Sequence, residues 1–173
     1  KDMKKILKPV LVALSLIFTG FANAQTSDVV DIAISSKDHT TLVAAVKAAD
    51  LVTTLKGKGP FTVFAPSNSA FDKLPKGTVE SLLKPESKEA LVKLLTYHVV
   101  SGNLKASDVL AAIKAGKGKA VVKTVQGENL IATLENGKVI LTDEKGGKAV
   151  VTATDLTASN GVVHVIDSAV MPK

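Results

Sequence analysis

Apolar and polar residues change their spacing several times along the chain, and each change predicts a different element. Two sets of residues alternate along residues 61–65, namely Phe61, Val63 and Ala65 against Thr62 and Phe64. This alternation is the period of a β-strand. Pro66 ends this strand, because proline cannot donate to a sheet ladder. Ser67 or Asn68 can then cap a helix whose apolar residues return to the core. The stretch predicts a buried strand that leads directly into a helix.

Helical spacing of apolar residues predicts the elements around this strand. A brief helix begins at Val29, and Asp38 or Thr40 can cap a longer one. The last helix of this half is expected to begin at a Ser107 or Asp108 cap. Residues 97–100 are expected to be extended. The predicted helices cover residues 29–34, 42–55, 70–74, 78–84, 90–95 and 109–113.

β-branched residues and strict alternation replace the helical pattern after residue 118. The turn at Asn136-Gly137 predicts a type I′ hairpin, which needs positive φ at both central residues. Helices followed by an antiparallel meander, to which the early strand returns, define an α+β domain. The predicted strands of this half cover residues 119–125, 129–135, 138–142, 148–154 and 162–166.

Residues 1–24 have the pattern of a cleaved secretory signal peptide. Lysines precede an apolar run from Val10 to Phe21, and Ala22-Asn23-Ala24 supplies small residues for cleavage after Ala24. The apolar run is short for a transmembrane helix, so an uncleaved anchor fits less well. We therefore expect a secreted or periplasmic protein with one domain over residues 25–173 and no stable membrane span after cleavage.

Charge and cysteine content exclude several classes of protein. Residues 25–173 contain 18 lysines, 15 acidic residues, no arginine and no cysteine. Nucleic-acid binders usually cluster basic residues and use arginine for bidentate phosphate contacts, so no nucleic-acid partner is expected. The lysines are interpreted as a solvated surface. Without disulfides, the stability must come from the hydrophobic core.

The candidate chemical groups favour a scaffold over a catalyst. The three histidines, His39, His98 and His164, lack the spacing that preorganises a zinc site, so no metal is expected. No nucleophile elbow or phosphate-binding fingerprint occurs, so we expect no cofactor and no enzymatic activity. His164 lies in a predicted strand and is interpreted as structural. Asn160-Gly161 is interpreted as a turn that needs a left-handed backbone.

Three separated motifs make the chain resemble the fasciclin-like domain family along residues 27–172. The first motif covers residues 61–71, with Phe64 and Pro66, and the second is Tyr97-His98. The third covers residues 160–167, with Asn160, Gly161 and His164 as structural positions, followed by Met171-Pro172. The resemblance implies a wedge of mostly antiparallel β-strands packed with several α-helices. It also implies a non-enzymatic role in adhesion or extracellular protein interaction.

The resemblance also implies where a partner binds. Adhesion in animal members has been assigned to the Tyr-His region and to an Asp-Ile pair, which correspond here to Tyr97-His98 and Asp155-Leu156. We expect Asp155-Leu156 to lie in an exposed loop between a strand and the Asn160 turn. The expected partner is an envelope or extracellular protein or a cell-surface component. The alternative is a carrier of a small apolar molecule, such as a lipid or carotenoid.

Overall fold

The computed structural model describes residues 27–173, and the predicted signal peptide lies outside the described residues. The described part contains seven α-helices, seven β-strands and two short 3₁₀ helices. The helices are α1 (Val29–Ser35), α2 (Thr40–Ala48), α3 (Val52–Leu55), α4 (Asn68–Asp72), α5 (Thr78–Leu82), α6 (Lys88–Tyr97) and α7 (Ala106–Ala115). The strands are β1 (Phe61–Pro66), β2 (Val99–Ser101), β3 (Lys119–Lys123), β4 (Asn129–Glu135), β5 (Lys138–Thr142), β6 (Lys148–Ala158) and β7 (Gly161–Ile166). The 3₁₀ helices are Lys37–His39 and Pro85–Ser87.

The strands form one sheet in the order β2-β1-β7-β6-β5-β4-β3. Strands β1 and β7 are parallel, and the other neighbours are antiparallel. Both β1 and β7 are buried along almost their whole length, as expected for central strands covered on two faces. The α+β architecture and the return of the early strand to the meander are confirmed.

The two ends of the sheet meet, so the sheet curls almost into a barrel. Val100 of β2 forms an isolated antiparallel bridge with Thr124, just after β3. The Val125 N–H also donates to the Val99 carbonyl oxygen over 2.8 Å. Within residues 27–173, no helix is long and apolar enough to cross a bilayer.

The curled sheet separates two hydrophobic cores. One core lies between the sheet and helices α1, α2, α3 and α6, and includes Phe71 and Val163. The other lies inside the curl, where Val109 and Ile113 of α7 cover residues of β3, β4 and β5. Phe64 belongs to this second core, and its N–H donates to the His98 carbonyl oxygen over 2.8 Å. Strand β1 therefore contributes side chains to both cores.

The Asn160 side chain joins the helices to the sheet. Its Oδ1 accepts from the Val29 N–H over 3.0 Å at the start of α1. Its Nδ2 donates to the carbonyl oxygens of Leu55 (2.7 Å) and Gly57 (2.9 Å) at the end of α3. Its own carbonyl accepts from Phe61 N–H at 2.9 Å. One buried amide thus satisfies backbone groups of α1 and of the α3 end beside the β1–β7 pair.

Glycine is required at position 161 because the backbones of β7 and β1 approach each other closely there. This finding corrects the expectation that Asn160-Gly161 needs a left-handed backbone. Neither Asn160 nor Gly161 has positive φ. A Cβ atom on Gly161 would instead lie 1.9 Å from the Phe61 carbonyl oxygen. At the hairpin of β4 and β5 the expectation is confirmed, since Asn136 and Gly137 have φ of 51° and 77°.

Several helix and strand boundaries in the structure differ from the predicted ones. Residues 97 and 98 are not extended, because α6 continues to Tyr97 and His98 is its C-cap. The last helix begins at Ala106 with Lys105 as N-cap, whose N–H donates to Asp108 Oδ2 at 3.0 Å. Asp108 therefore acts from inside the first turn and is not the cap residue. Side-chain bonds of this kind decide a helix start, and sequence spacing alone places it within a residue or two.

We predict that Gly161→Ala lowers the free energy of unfolding by about 3 kcal/mol, because the added methyl must displace the Phe61 backbone. Gly137→Ala is the matched control: its φ is also unfavourable for alanine, at 77°, but the space around it is open. That change is expected to cost about 1 kcal/mol. Urea denaturation of both variants measures the difference, and equal losses would contradict the close-approach argument.

Candidate functional site

Asp155 and Leu156 lie in a bulge of β6, not in a loop. The pairing of β6 with β7 shifts between Val151 and Ala153 and again between Ala153 and Leu156. Beyond the shifts, β6 continues to pair with β7 as far as Ala158. The extra residues let the strand bend around the sheet without losing its partner. The expected loop is therefore corrected to a bulged strand, although both residues are exposed as expected.

Three hydrogen bonds hold the bulge in one conformation. Asp155 has φ of 58°, a left-handed conformation that aspartate adopts more readily than most residues. Its Oδ1 accepts from the Ala106 N–H over 2.8 Å, one of the free donors at the start of α7. Its own N–H donates to Nδ1 of His164 at 3.3 Å. Nε2 of His164 in turn lies 2.7 Å from the Leu104 carbonyl oxygen.

His164 is therefore the internal support of the bulge. Because Nδ1 accepts a hydrogen bond, the ring carries its hydrogen on Nε2 and donates it to Leu104. The ring also stacks on Phe64, with centroids 5.6 Å apart and an interplanar angle of 25°. Phe64 and Pro66 are both buried in β1. The motif residue His164 and the exposed Asp155 thus belong to one connected arrangement.

Leu156 forms part of the wall of a groove of about 610 Å³. The groove runs between α1, the start of α4 and the outer side of β6, and a volume in this range is typical of small-molecule sites. Leu156 is 39% exposed, which is high for a large apolar residue. The lining combines apolar residues, among them Ile32, Ala33, Val163 and Val165, with the polar residues Ser36, Ser67 and Ser69.

His39 also lines this groove. Its Nδ1 is 2.8 Å from Ser36 Oγ, while Nε2 makes no hydrogen bond within residues 27–173. Burial lowers the pKa of His39, although the nearby Ala65 carbonyl and the Asp38 charge act in the opposite direction. The Ala65 carbonyl favours the charged ring electrostatically without reaching hydrogen-bond geometry. His39 is therefore predominantly neutral at pH 7.

Tyr97 and His98, the other expected partner-binding residues, are in the core. Tyr97 is fully buried and His98 is 2% exposed, so neither side chain offers a surface to a partner. The Tyr97 hydroxyl donates to the Asn129 carbonyl oxygen at 2.9 Å, and burial raises its pKa to about 12. His98 Nδ1 donates to the Leu94 carbonyl oxygen at 2.8 Å. This pair is corrected from a contact surface to a packing element.

The His98 ring also holds the segment after β7. Its Nε2 accepts from the Val170 N–H over 3.2 Å. Burial lowers the pKa of His98 to about 4, because the charged ring would lose its hydration. The Leu94 carbonyl and Asp143 oppose this effect. Among the described residues, histidine, aspartate and glutamate side chains form no group of three that could hold a metal ion.

The comparisons with known proteins agree on one family. Residues 37–172 match the model of the Fasciclin domain. The chain is 48% identical over 158 residues to Protein sll1483 of Synechocystis sp., covering 91% of this chain and 81% of that protein. It is 36% identical over 162 residues to Immunogenic protein MPB70 of Mycobacterium bovis, covering 89% of this chain and 75% of that protein. The chain therefore belongs to the fasciclin domain family.

A solved structure agrees with the fold. The chain superimposes with a TM-score of 0.73 on a FAS1 domain pair from the insect cell adhesion molecule Fasciclin I. The match covers 83% of this chain and 50% of that chain, at 17% sequence identity. The resemblance inferred from the three motifs is confirmed, and so is the wedge of strands and helices that it implied.

Sequence reasoning missed the connection between the bulge and α7. Ala106 and Leu104 carry no distinctive side chain, and they act through their backbone groups. The groove beside Leu156 was also missed, because its walls come from distant parts of the chain. The one available signal was the run Thr154-Asp155-Leu156-Thr157, in which aspartate can adopt the left-handed conformation that a bulge requires.

We predict that Asp155→Ala lowers the free energy of unfolding by about 1–2 kcal/mol, because alanine lacks the acceptor for the Ala106 N–H and tolerates φ of 58° poorly. Asp155→Asn keeps both properties and should cost only about 0.5 kcal/mol through the lost charge at the helix start. Chemical denaturation of both variants compares them. Equal stability of the two would show that the bond to α7 contributes nothing.

We also predict that stability decreases as the pH falls from 6.5 towards 4, the ordinary and folded pKa values of His98. In this window the unfolded chain binds a proton at residue 98 that the folded chain does not bind. The free energy of unfolding therefore falls by at most about 1.4 kcal/mol per pH unit from this group. Thermal melting at intervals of half a pH unit measures the slope.

His98→Gln should flatten this slope, and His39→Gln should flatten it in addition, because burial lowers the pKa of both histidines. Glu128 and Glu144 add to the slope as the pH approaches their ordinary pKa of 4.5, because their folded pKa values lie below it, so the variants are compared above about pH 5.5. An unchanged slope in His98→Gln would mean that the ring accepts a proton in the folded state.

Proposed function

We propose that this chain is a non-enzymatic adhesion or protein-interaction module that works in the periplasm, outside the cell or at the cell surface. Its partner is an envelope or extracellular protein or another cell-surface component. The contact surface is centred on the β6 bulge with Asp155 and Leu156. Membership of the fasciclin domain family supports this role, since its members are generally non-enzymatic adhesion-type proteins.

The proposal rests on the geometry of the β6 bulge. Leu156 is an exposed apolar side chain, and the adjacent Asp155 carboxylate is held by its bond to Ala106. A partner can bury the leucine and donate to the second carboxylate oxygen without first ordering the backbone. A preorganised apolar anchor beside a charge reduces the entropy lost on binding. The bulge is thus better prepared for a contact than an ordinary loop.

The structural comparison supports the same role. The solved structure that this chain resembles comes from a cell adhesion molecule. At 17% identity that likeness shows the fold, and the adhesion role is carried to this chain as part of the proposal. The signal peptide inferred for residues 1–24 fits a protein that meets its partner outside the cytoplasm.

The groove beside Leu156 favours a second candidate function, the binding of a small apolar molecule. An apolar cavity lined mainly by α1, α2 and α3 holds only about 30 Å³, too little for a lipid or carotenoid. The groove of about 610 Å³ is large enough to hold part of such a molecule. A carrier would therefore use the surface groove and not the interior of the domain.

We predict that the double change Asp155→Asn with Leu156→Ser weakens capture of the partner roughly fivefold or more, as expected when an anchor residue is lost. The purified domain would be used as bait in extracts of the cell envelope and culture medium of the source organism. Mass spectrometry would quantify both bound proteins and solvent-extracted lipids. The melting temperature should change little, because asparagine keeps the bond to Ala106.

Leu134→Ser is the matched control, since Leu134 is 44% exposed and lies on β4, two strands away in the sheet. It should capture the partner as well as the wild type. Undiminished capture by the folded double variant would contradict the proposed contact surface. A bound apolar molecule that Ala33→Phe removes, without a protein partner, would instead support the carrier.

A further inference from the structure

The positive charge of the described chain is concentrated on one segment. Residues 27–173 contain 18 lysines and 15 acidic residues. Residues 105–123 contain five of these lysines and a single acid, Asp108. All five lysines are exposed, and none forms an ion pair with another residue of the described chain. The five are Lys105, Lys114, Lys117, Lys119 and Lys123.

Strand β3, which ends this segment, has a free edge. The Thr124 N–H donates to the Glu128 carbonyl oxygen, on the β4 side. Because backbone groups alternate in direction along an antiparallel ladder, the N–H and C=O groups of Val121 and Lys123 point away from β4. The Val125 N–H points in the same direction as those of Val121 and Lys123, and it donates to the Val99 carbonyl oxygen of β2. The Val100–Thr124 bridge places Lys123 opposite Ser101 of β2, whereas within residues 27–173 no residue pairs with Val121 on the side away from β4.

A groove of about 250 Å³ lies where the edges diverge. Its walls are β2 on one side, α7 below and β3 on the other side, with Ser101, Ala112 and Val121 among the lining residues. Val121 is 69% exposed, a high value for an apolar residue. The side chains of Lys119 and Lys123 lie on the same face of β3 as Val121, two residues away on each side.

We propose that the β3 edge is a binding site for an acidic, extended polypeptide segment that adds a strand to the sheet. The free N–H and C=O groups of Val121 supply the central pair of main-chain hydrogen bonds. On one face, the incoming strand would carry an acidic residue opposite Lys119, an apolar residue opposite Val121 and a second acidic residue opposite Lys123. Opposite charges on facing positions stabilise such a pair.

A second copy of the chain does not fit this edge. In an antiparallel pair centred on Val121, Lys119 of one copy would face Lys123 of the other, and like charges at facing positions are unfavourable. Lysines on edge strands prevent self-pairing in many proteins. The excess of unpaired lysines along α7 and β3 therefore selects an acidic strand from another protein.

The inference extends the proposed protein-interaction role to a second surface, and its test does not use the cellular partner. The probe is the peptide acetyl-Thr-Glu-Thr-Val-Thr-Glu-Thr-amide, titrated into the isotope-labelled domain. The amide signal of Val121 should shift, and hydrogen exchange of its N–H group should slow by about tenfold at saturation. Failure of the envelope capture would count against the β6 contact surface alone, and failure of peptide binding would count against the β3 edge alone.

Lys119→Glu with Lys123→Glu should weaken binding roughly tenfold, because two attractive facing pairs become repulsive. Lys58→Glu with Lys76→Glu is the matched control, since both lysines are exposed, outside the described ion pairs and in segments other than α7 and β3. It changes the net charge equally and should leave binding within about twofold. Melting temperatures of both double variants establish that they remain folded.

Two further peptides separate strand addition from charge attraction. A peptide with lysines in place of both glutamates, and one with proline in place of valine, should not bind. A heparin fragment is the polyanion control. If heparin or the proline peptide produced the same shifts, the surface would be a general anion site and the inference would be overturned. Absence of any shift at Val121 with the first peptide would overturn it equally.

Discussion

The buried amide of Asn160 and the close contact at Gly161 are the constraint on which the rest of this structure depends. The amide links the start of α1 to the end of α3, with bonds of 2.7–3.0 Å to three backbone groups. Gly161 lets β7 approach the Phe61 carbonyl of β1. Because these contacts join residues more than 100 positions apart, helices and sheet are stabilised as a unit. Both hydrophobic cores are built against the central strands that this junction positions.

The same junction determines which surfaces remain for function. With β1 and β7 buried on both faces, the exposed groups that we propose for binding lie on β6 and β3. On β6 the bulge exposes Leu156 while His164 supports it from inside. On β3 the incomplete closure of the sheet leaves an edge beside five lysines. Histidines that could suggest chemistry instead bond to backbone groups: His98 to Leu94 and Val170, and His164 to Leu104.

Much of the fold was predictable because its signals are local. The strand from Phe61 to Pro66, the meander after residue 118 and the Asn136-Gly137 hairpin follow from alternation and turn chemistry, and the structure contains them. The three motifs also sufficed to recognise the fasciclin domain family, which the match over residues 37–172 confirms. Predictions failed where a residue serves a distant partner. Tyr97 fits an extended pattern by sequence, yet core packing continues α6 through it.

The sequence by itself determined the class of fold, the family and the types of residue available for contact. Only the tertiary structure decided how those residues are used. Asp155-Leu156 became a bulge because β6 keeps its hydrogen bonds to β7, and Tyr97-His98 became core because the end of α6 is buried, with Tyr97 in the core inside the curl. Scattered lysines became one basic edge because the turn after α7 brings β3 alongside the helix. Spacing along a chain encodes the period of an element, whereas burial and pairing depend on elements far apart in sequence.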